Sequence, residues 1–291
     1  MKVKGVITAL VTPFNKDGSI DEKALRGLVD FQVSAGVDGI LPMGTTGESP
    51  TLSHGEHIHV IEIVIDQAQG KVPIIAGTGS NCTQEAVEMT QQAMECGANA
   101  SLQVAPYYNK PTQEGFYRHF MAIADSVDLP MIVYNIPGRS AKNIENSTML
   151  RLANHPNIAG VKEASGNIGQ VMDLIKQKPE SFDLVSGDDN LAYSIIVLGG
   201  TGVISVASNY IPKLMKEFVE KALGNDFLEA RKIHYRLLPF FKALFIETNP
   251  IPVKYVLALK GKIQEYYRLP MCPLEDEHKK ALENILKDLG I

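Results

Sequence analysis

The sequence predicts an α/β fold, a closed (β/α)8 TIM barrel followed by a small C-terminal helical appendage. Three observations predict it. Short β-rich apolar segments recur at intervals of roughly 20 to 35 residues, each is followed by a stretch with helical amphipathic spacing, and the count of such units reaches eight. A doubly wound open sheet would call for a GxGxxG turn after the first strand, and none stands there.

The eight segments are GVITALVTP (5–13), GILPMG (39–44), PIIAGTG (73–79), ASLQVAPYY (100–108), MIVYNIP (131–137), IAGVKEAS (158–165), DLVSGDD (183–189) and GVISVAS (202–208). The first is read as a buried strand and not as a leader, because its apolar stretch is short, holds Thr8 and runs into Pro13. Between the segments lie stretches such as 21–35, where Leu25, Leu28, Val29 and Val33 share one helical face. Ser19 with Glu22, and Ser53 with Glu56, each fit a capping box, in which side chains satisfy the orphan amides of a first turn. The units end near residue 223, which suggests a catalytic barrel over 1–224. Residues 225–291 read as helices interrupted by NPIPV (249–253) and LPMCP (269–273).

The chain has 291 residues and a mass of 31.8 kDa, for which area scaling gives about 12,000 Å² of folded surface and about three quarters of the chain's area buried. A net charge of −5 with no long basic run argues against nucleic acid. No apolar run approaches the roughly 18 residues of a membrane span. Cys82, Cys96 and Cys272 are odd in number and lack paired metal spacing, which fits a reducing cytoplasm better than a disulfide framework or structural zinc.

Barrel enzymes carry their reactive groups at the C-terminal ends of the strands, and these ends are polar here: GTTGE (44–48), YYNKP (107–111), YNIPGR (134–139), KEASG (162–166) and SGDD (186–189). Lys162 follows the apolar IAGV, so it points either into the barrel mouth or out against the helices. One reading pairs it with Glu163. The other desolvates it, which lowers its pKa and frees the amine to attack a carbonyl as a Schiff-base nucleophile. Tyr134 on the neighbouring strand end would then shuttle protons, with hydroxyls at Thr45, Thr46 and Tyr108 as relays. Arg139 suits bidentate capture of a carboxylate, or pairs with a nearby acid at the rim.

Other polar clusters read less specifically. HGEHIH (54–59) lacks the HExxH order and is taken as surface histidines at a helix start. Asp188 and Asp189 are read as a loop capping the next helix. GTGSN (77–81) and GGTG (199–202) resemble phosphate cradles but bring no lysine or arginine with them.

Taken together, GTTGE, YYNKP, YNIPGR, GVKEASG and GVISV, in this order and with NPIPVK (249–254) in the tail, resemble the dihydrodipicolinate synthase family, of the pyruvate-dependent class I aldolase and N-acetylneuraminate lyase superfamily. The resemblance spans essentially the whole chain. It implies that Lys162 forms an imine with pyruvate and that Tyr134 donates and accepts protons. Thr45 and Tyr108 would complete the relay, Tyr108 from a neighbouring subunit. Thr46 and the backbone around Ile204 would hold pyruvate, with Gly187 lining the pocket. The acceptor would be L-aspartate 4-semialdehyde, on the path to diaminopimelate and lysine, and Arg139 favours it over the sugar-acid substrate of the N-acetylneuraminate lyase alternative. Neither metal nor organic cofactor is called for. Residues matching an allosteric L-lysine pocket are Ser49, His54, His57, Asn81, Glu85 and Tyr107, with Pro50 where a smaller residue is expected. A cytoplasmic homotetramer, a dimer of dimers, is the implied assembly.

Overall fold

The computed structural model describes residues 2–291. Among these residues eight strands form one parallel sheet: β1 Gly5–Ala9, β2 Gly39–Leu41, β3 Ile75–Gly77, β4 Ala100–Val104, β5 Met131–Asn135, β6 Ile158–Glu163, β7 Asp183–Ser186 and β8 Gly202–Ser205. Each strand falls inside one of the predicted segments, whose polar C-terminal residues turn out to be loops. The strand order β2-β1-β8-β7-β6-β5-β4-β3 leaves one seam, between β2 and β3. That seam is bridged by Ile40 and Ile74, where the Ile40 amide donates to the Pro73 carbonyl and the Gly77 amide to that of Pro42, both at 3.0 Å. The sheet therefore closes into a barrel, which the doubly wound alternative does not allow.

Alternation along the strands separates two environments. Ile7, Leu41, Ile75, Leu102, Ile132, Tyr134, Val185 and Ile204 pack together inside the barrel. Their sequence neighbours, such as Val133 and Leu184, pack outward against the helices. The described residues expose 11988 Å², in line with the area scaling. No helix among them is long and apolar enough to cross a membrane.

The helix Glu22–Ala35 buries Leu25, Leu28 and Val29, with Val33 half-buried beside them. Its start corrects the predicted Ser19 and Glu22 box. Asp21 is the cap, accepting from the Ala24 amide at 3.0 Å, while the Ser19 hydroxyl donates to Asp17 at 2.6 Å in the preceding turn. Asp and Ser are comparable caps, and the one already adjacent to the first turn takes the position. The second box is complete: Ser53 and Glu56 cap the helix His54–Ala68 reciprocally.

After β8 come the helices Pro212–Leu223, Phe227–Ala243, Ile251–Leu259 and Asp276–Leu289. His234 stacks with Tyr193 and packs against Phe218 and Phe241, seating Phe227–Ala243 on the last barrel helices. Ile251–Leu259 instead lies over the C-terminal end of the barrel, where Asn249 and Lys254 meet the loop after β2.

Candidate active site

Lys162 and Tyr134 are register partners on β6 and β5, so both point into the barrel at its C-terminal end. The Lys162 Nζ lies 4.1 Å from the Tyr134 ring centroid, and both side chains are buried. Burial lowers the lysine from 10.5 to about 8, against the attraction of Asp188 and Asp189, with Arg139 adding to the depression. The same burial pushes the Tyr134 phenol far up, so it is protonated at neutral pH. Asp188 is raised to about 6, chiefly by burial, while the Lys162 charge holds it down.

The pairing of Lys162 with Glu163 is not formed. Successive strand residues face opposite sides, so Glu163 points outward, accepting from Asn135 Nδ2 at 3.1 Å and from the Ser165 amide at 2.7 Å. The carboxylates that bear on Lys162 come from the loop after β7.

Thr45 opens the 3-10 turn Thr45–Gly47 after β2 and stands beside the Tyr134 phenol. Thr46 is buried, and its Oγ1 accepts from Asn249 Nδ2 at 3.0 Å. Gly187 follows β7, and a Cβ there would lie 3.1 Å from Lys162 Cε and 2.7 Å from the Ala164 Cβ, so only glycine leaves the lysine its room. Ile204 belongs to the inner cluster with Tyr134. Arg139, from the short helix Pro137–Ser140, donates to the Asn249 carbonyl at 3.3 Å, a backbone partner that leaves its charge unmatched there.

Of the predicted catalytic set, Lys162, Tyr134 and Thr45 converge, and Tyr108 does not. Tyr108 is 89% exposed with a φ of 70°. The expectation that the two aspartates cap the following helix is corrected. Asp188 occupies the cap position without a side-chain capping bond. Asp189 turns inward and accepts from the Val206 and Ala207 amides at 3.0 and 2.9 Å, satisfying the backbone that leaves β8. GGTG lies at the opposite end of the barrel, where Thr201 bonds the Val3 carbonyl, and so is no part of a cradle at the mouth. Asn249, Glu48 and Lys254 were not among the predicted site residues, although the NPIPVK and GTTGE segments that hold them were noticed.

Beside the mouth is a cavity of about 420 Å³, lined by Ser49, Pro50, His54, His57, Glu85 and Tyr107 together with Thr45 and Arg139. Asn81 reaches its edge by donating to the Tyr107 carbonyl at 3.1 Å. Glu85 accepts from the Ser80 hydroxyl at 2.7 Å. His57 corrects the reading of surface histidines: its helix packs that face on β3, its Nε2 lies 2.6 Å from the Gly77 carbonyl, and burial lowers its pKa. A second, narrower space shares Thr45 and Ser49 with this cavity and is lined by Tyr134 as well.

Comparison with known proteins agrees with this geometry. Residues 2–289 match the model of the dihydrodipicolinate synthetase family. The chain is 53% identical over its whole length to the 4-hydroxy-tetrahydrodipicolinate synthase of Koribacter versatilis, covering 97% of that protein. The crystal structure of the chloride-inhibited dihydrodipicolinate synthase of Acinetobacter baumannii complexed with pyruvate superimposes with a TM-score of 0.98 at 45% identity, 100% of each chain being covered. The synthase of Cyanidioschyzon merolae with lysine bound does so with a TM-score of 0.96 at 41% identity, over 99% of this chain and 98% of that one.

Proposed function

The chain belongs to the dihydrodipicolinate synthetase family, lyases of the class I aldolase type, and from that premise we propose that it condenses pyruvate with L-aspartate 4-semialdehyde to 4-hydroxy-tetrahydrodipicolinate. The observation that carries the reading is Lys162, a buried amine near 8 set over the Tyr134 ring at the strand ends.

The neutral Lys162 amine attacks the carbonyl carbon of pyruvate, and loss of water leaves an imine. Loss of a methyl proton gives the enamine, whose carbon adds to the aldehyde of the semialdehyde. The amine of that substrate then displaces Lys162 and closes the ring. Tyr134, protonated and buried, donates to the departing hydroxyl and takes protons back through Thr45. Tyr108, too exposed to serve its own site, extends the relay into a neighbouring subunit's site. Thr46 and the backbone at Ile204 hold the pyruvate, Gly187 leaves the lysine space, and the unmatched Arg139 charge receives the carboxylate of the semialdehyde.

The pyruvate complex of the Acinetobacter baumannii relative supports the first substrate. The relatives' names support this condensation over an N-acetylneuraminate lyase reaction. The lysine-bound Cyanidioschyzon merolae relative supports L-lysine as an allosteric inhibitor, taken up by the cavity of Ser49, His54, His57, Asn81, Glu85 and Tyr107, where Glu85 meets the ammonium and Asn81 the carboxylate. The working form is a cytoplasmic homotetramer. Residues 1–224 hold the reacting groups, and residues 225–291 brace them.

The test is pyruvate consumption by the purified protein with the semialdehyde present or omitted, joined to borohydride trapping. Consumption that needs the semialdehyde, with a pyruvate adduct on Lys162, is the expected result. Unaltered pyruvate, or a Lys162→Ala protein as active as the wild type, overturns the reading.

A further inference from the structure

The loop after β2 is held by a charge pair that the condensation does not use. Glu48 stands between two 3-10 turns, Thr45–Gly47 and Ser49–Thr51, ending the first and starting the second. Its φ of 56° lies in the left-handed region, an uncommon place for a residue with a Cβ. Its backbone closes both turns: the amide donates to the Thr45 carbonyl at 3.1 Å, and the carbonyl accepts from the Thr51 amide at 2.9 Å. Its direction therefore sets how Thr45 and Thr46 are presented to the mouth on one side, and Ser49 to the neighbouring cavity on the other.

The Glu48 carboxylate runs inward and accepts from the Lys254 ammonium, the two side chains being 1% and 0% exposed. Lys254 comes from the helix Ile251–Leu259, with its Nζ 4.4 Å from the Phe14 ring centroid and 5.4 Å from that of Tyr267. The second Glu48 oxygen is buried without a partner among the described residues. Such a pair is a poor source of stability, because desolvating both charges offsets most of their attraction and an apolar pair of similar volume packs as well. What a buried pair does supply is geometry: a carboxylate confined to one place, and a loop that has to follow it.

We infer that Glu48 and Lys254 are positioning residues for the condensation, locking the left-handed turn so that Thr45 meets Tyr134 and Thr46 faces the pyruvate. The inference rests on the reading that pyruvate is bound at this mouth. Neither residue touches substrate or the reacting atoms. They act through Thr45 and Thr46, so their loss falls on pyruvate binding and imine formation and leaves the ionisation of Lys162 where it was.

The experiment compares Lys254→Met, Glu48→Gln and the double variant Glu48→Gln/Lys254→Met with the wild type. Folding is checked by near-UV circular dichroism. Pyruvate KM, kcat and the rate of borohydride-trapped adduct formation are measured across pH. Lys254→Met strands a buried carboxylate and Glu48→Gln a buried ammonium, so either single variant is at risk of not folding. The double variant leaves no charge behind and carries the comparison in their place. In the folded double variant, adduct formation at low pyruvate is expected to fall by about tenfold or more, because a misplacement near 1 Å has effects of that order. Its pyruvate KM rises and the midpoint of the pH profile is unchanged. Glu48→Gln alone, where it folds, still accepts from Lys254 and stays much nearer the wild type. A folded double variant with wild-type KM and adduct rate overturns the inference and reduces the pair to a structural one. A displaced pH midpoint at unchanged KM overturns it too, since the pair would then act on Lys162 electrostatically. A wild type that forms no adduct defeats the functional reading itself, whereas adduct formation that is equal in wild type and variant defeats only the positioning role.

Discussion

Replacing Asp188 by asparagine is expected to move the pH dependence of imine formation, and the direction follows from which charges surround Lys162. Burial holds the amine near 8 instead of 10.5, and Asp188 is the first of the groups that oppose burial. At pH 7 an amine at 8 is neutral in about one molecule in eleven, against about one in three thousand for an ordinary lysine, a gain near 300-fold worth about 3 kcal/mol. Removing the Asp188 charge withdraws an attraction that favours the ammonium. If the attraction is about 1.4 kcal/mol, a modest value for a partly screened pair, the midpoint drops from about 8 to about 7 and the neutral fraction at pH 7 rises about fivefold. Asp188 itself ionises near 6. Below that pH the wild-type carboxyl is neutral as well, so the two proteins converge. The assay is the initial rate of reductively trapped pyruvate adduct on Lys162, followed by mass spectrometry from pH 5 to 10. A wild-type midpoint near that of free lysine refutes the desolvation argument. An Asp188→Asn midpoint unchanged from the wild type refutes the assignment of Asp188 as the opposing charge.

Four further outcomes follow from the same geometry. Gly187→Ala places a methyl 3.1 Å from Lys162 Cε, and adduct formation is expected to fall about tenfold or more in a protein that keeps its circular dichroism spectrum; wild-type adduct rates would show that the lysine does not need the space. Mixing inactive Lys162→Ala with Tyr108→Phe protein, then allowing subunits to exchange, is expected to restore about a quarter of the wild-type activity if each dimer shares Tyr108 across its interface; no restoration places Tyr108 outside the neighbour's relay. Glu85→Gln is expected to weaken L-lysine inhibition about tenfold, about 1.4 kcal/mol for an ammonium contact, with the uninhibited rate unchanged; equal inhibition curves would move the effector elsewhere. Glu56, held at about 2 by Arg268 and 36% exposed in its side chain, has a folded-state pKa below its ordinary 4.5, so its contribution is complete above that value and is lost as pH falls toward 2. Solvent screening reduces the contribution to about 1 kcal/mol, and Glu56→Gln is expected to lower Tm by about 2 °C at pH 7 and hardly at all near pH 2; the same drop at both pH values would remove the charge from the explanation.

The succession of strands and the polar side chains that gather at the barrel mouth were legible in the sequence. An apolar run such as IAGV that ends in Lys162 forms a strand in almost any context that buries it, and a strand that turns polar at its C-terminal end announces a barrel mouth. Tyr134, Thr45, Thr46 and Arg139 stood out the same way, because each sits within a few residues of such an end, whereas Gly187 came only with the family resemblance. The Ser53 and Glu56 box was readable because both partners lie in one turn.

Contacts over long separations were not readable. Glu163 is next to Lys162 in the chain and faces away from it, whereas Asp188 is 26 positions on and bears on its charge. Glu48 is matched by Lys254, Thr46 by Asn249 and Arg139 by the Asn249 carbonyl, all across the ends of the barrel. His57 becomes buried because its helix turns that face to β3. Local pattern determines which residues form strands and helices, since propensity, periodicity and capping act over a few residues. The partner of a buried polar group is decided only when the barrel closes and the tail comes to rest on it, because desolvation requires a partner for that group from whichever backbone lies nearest.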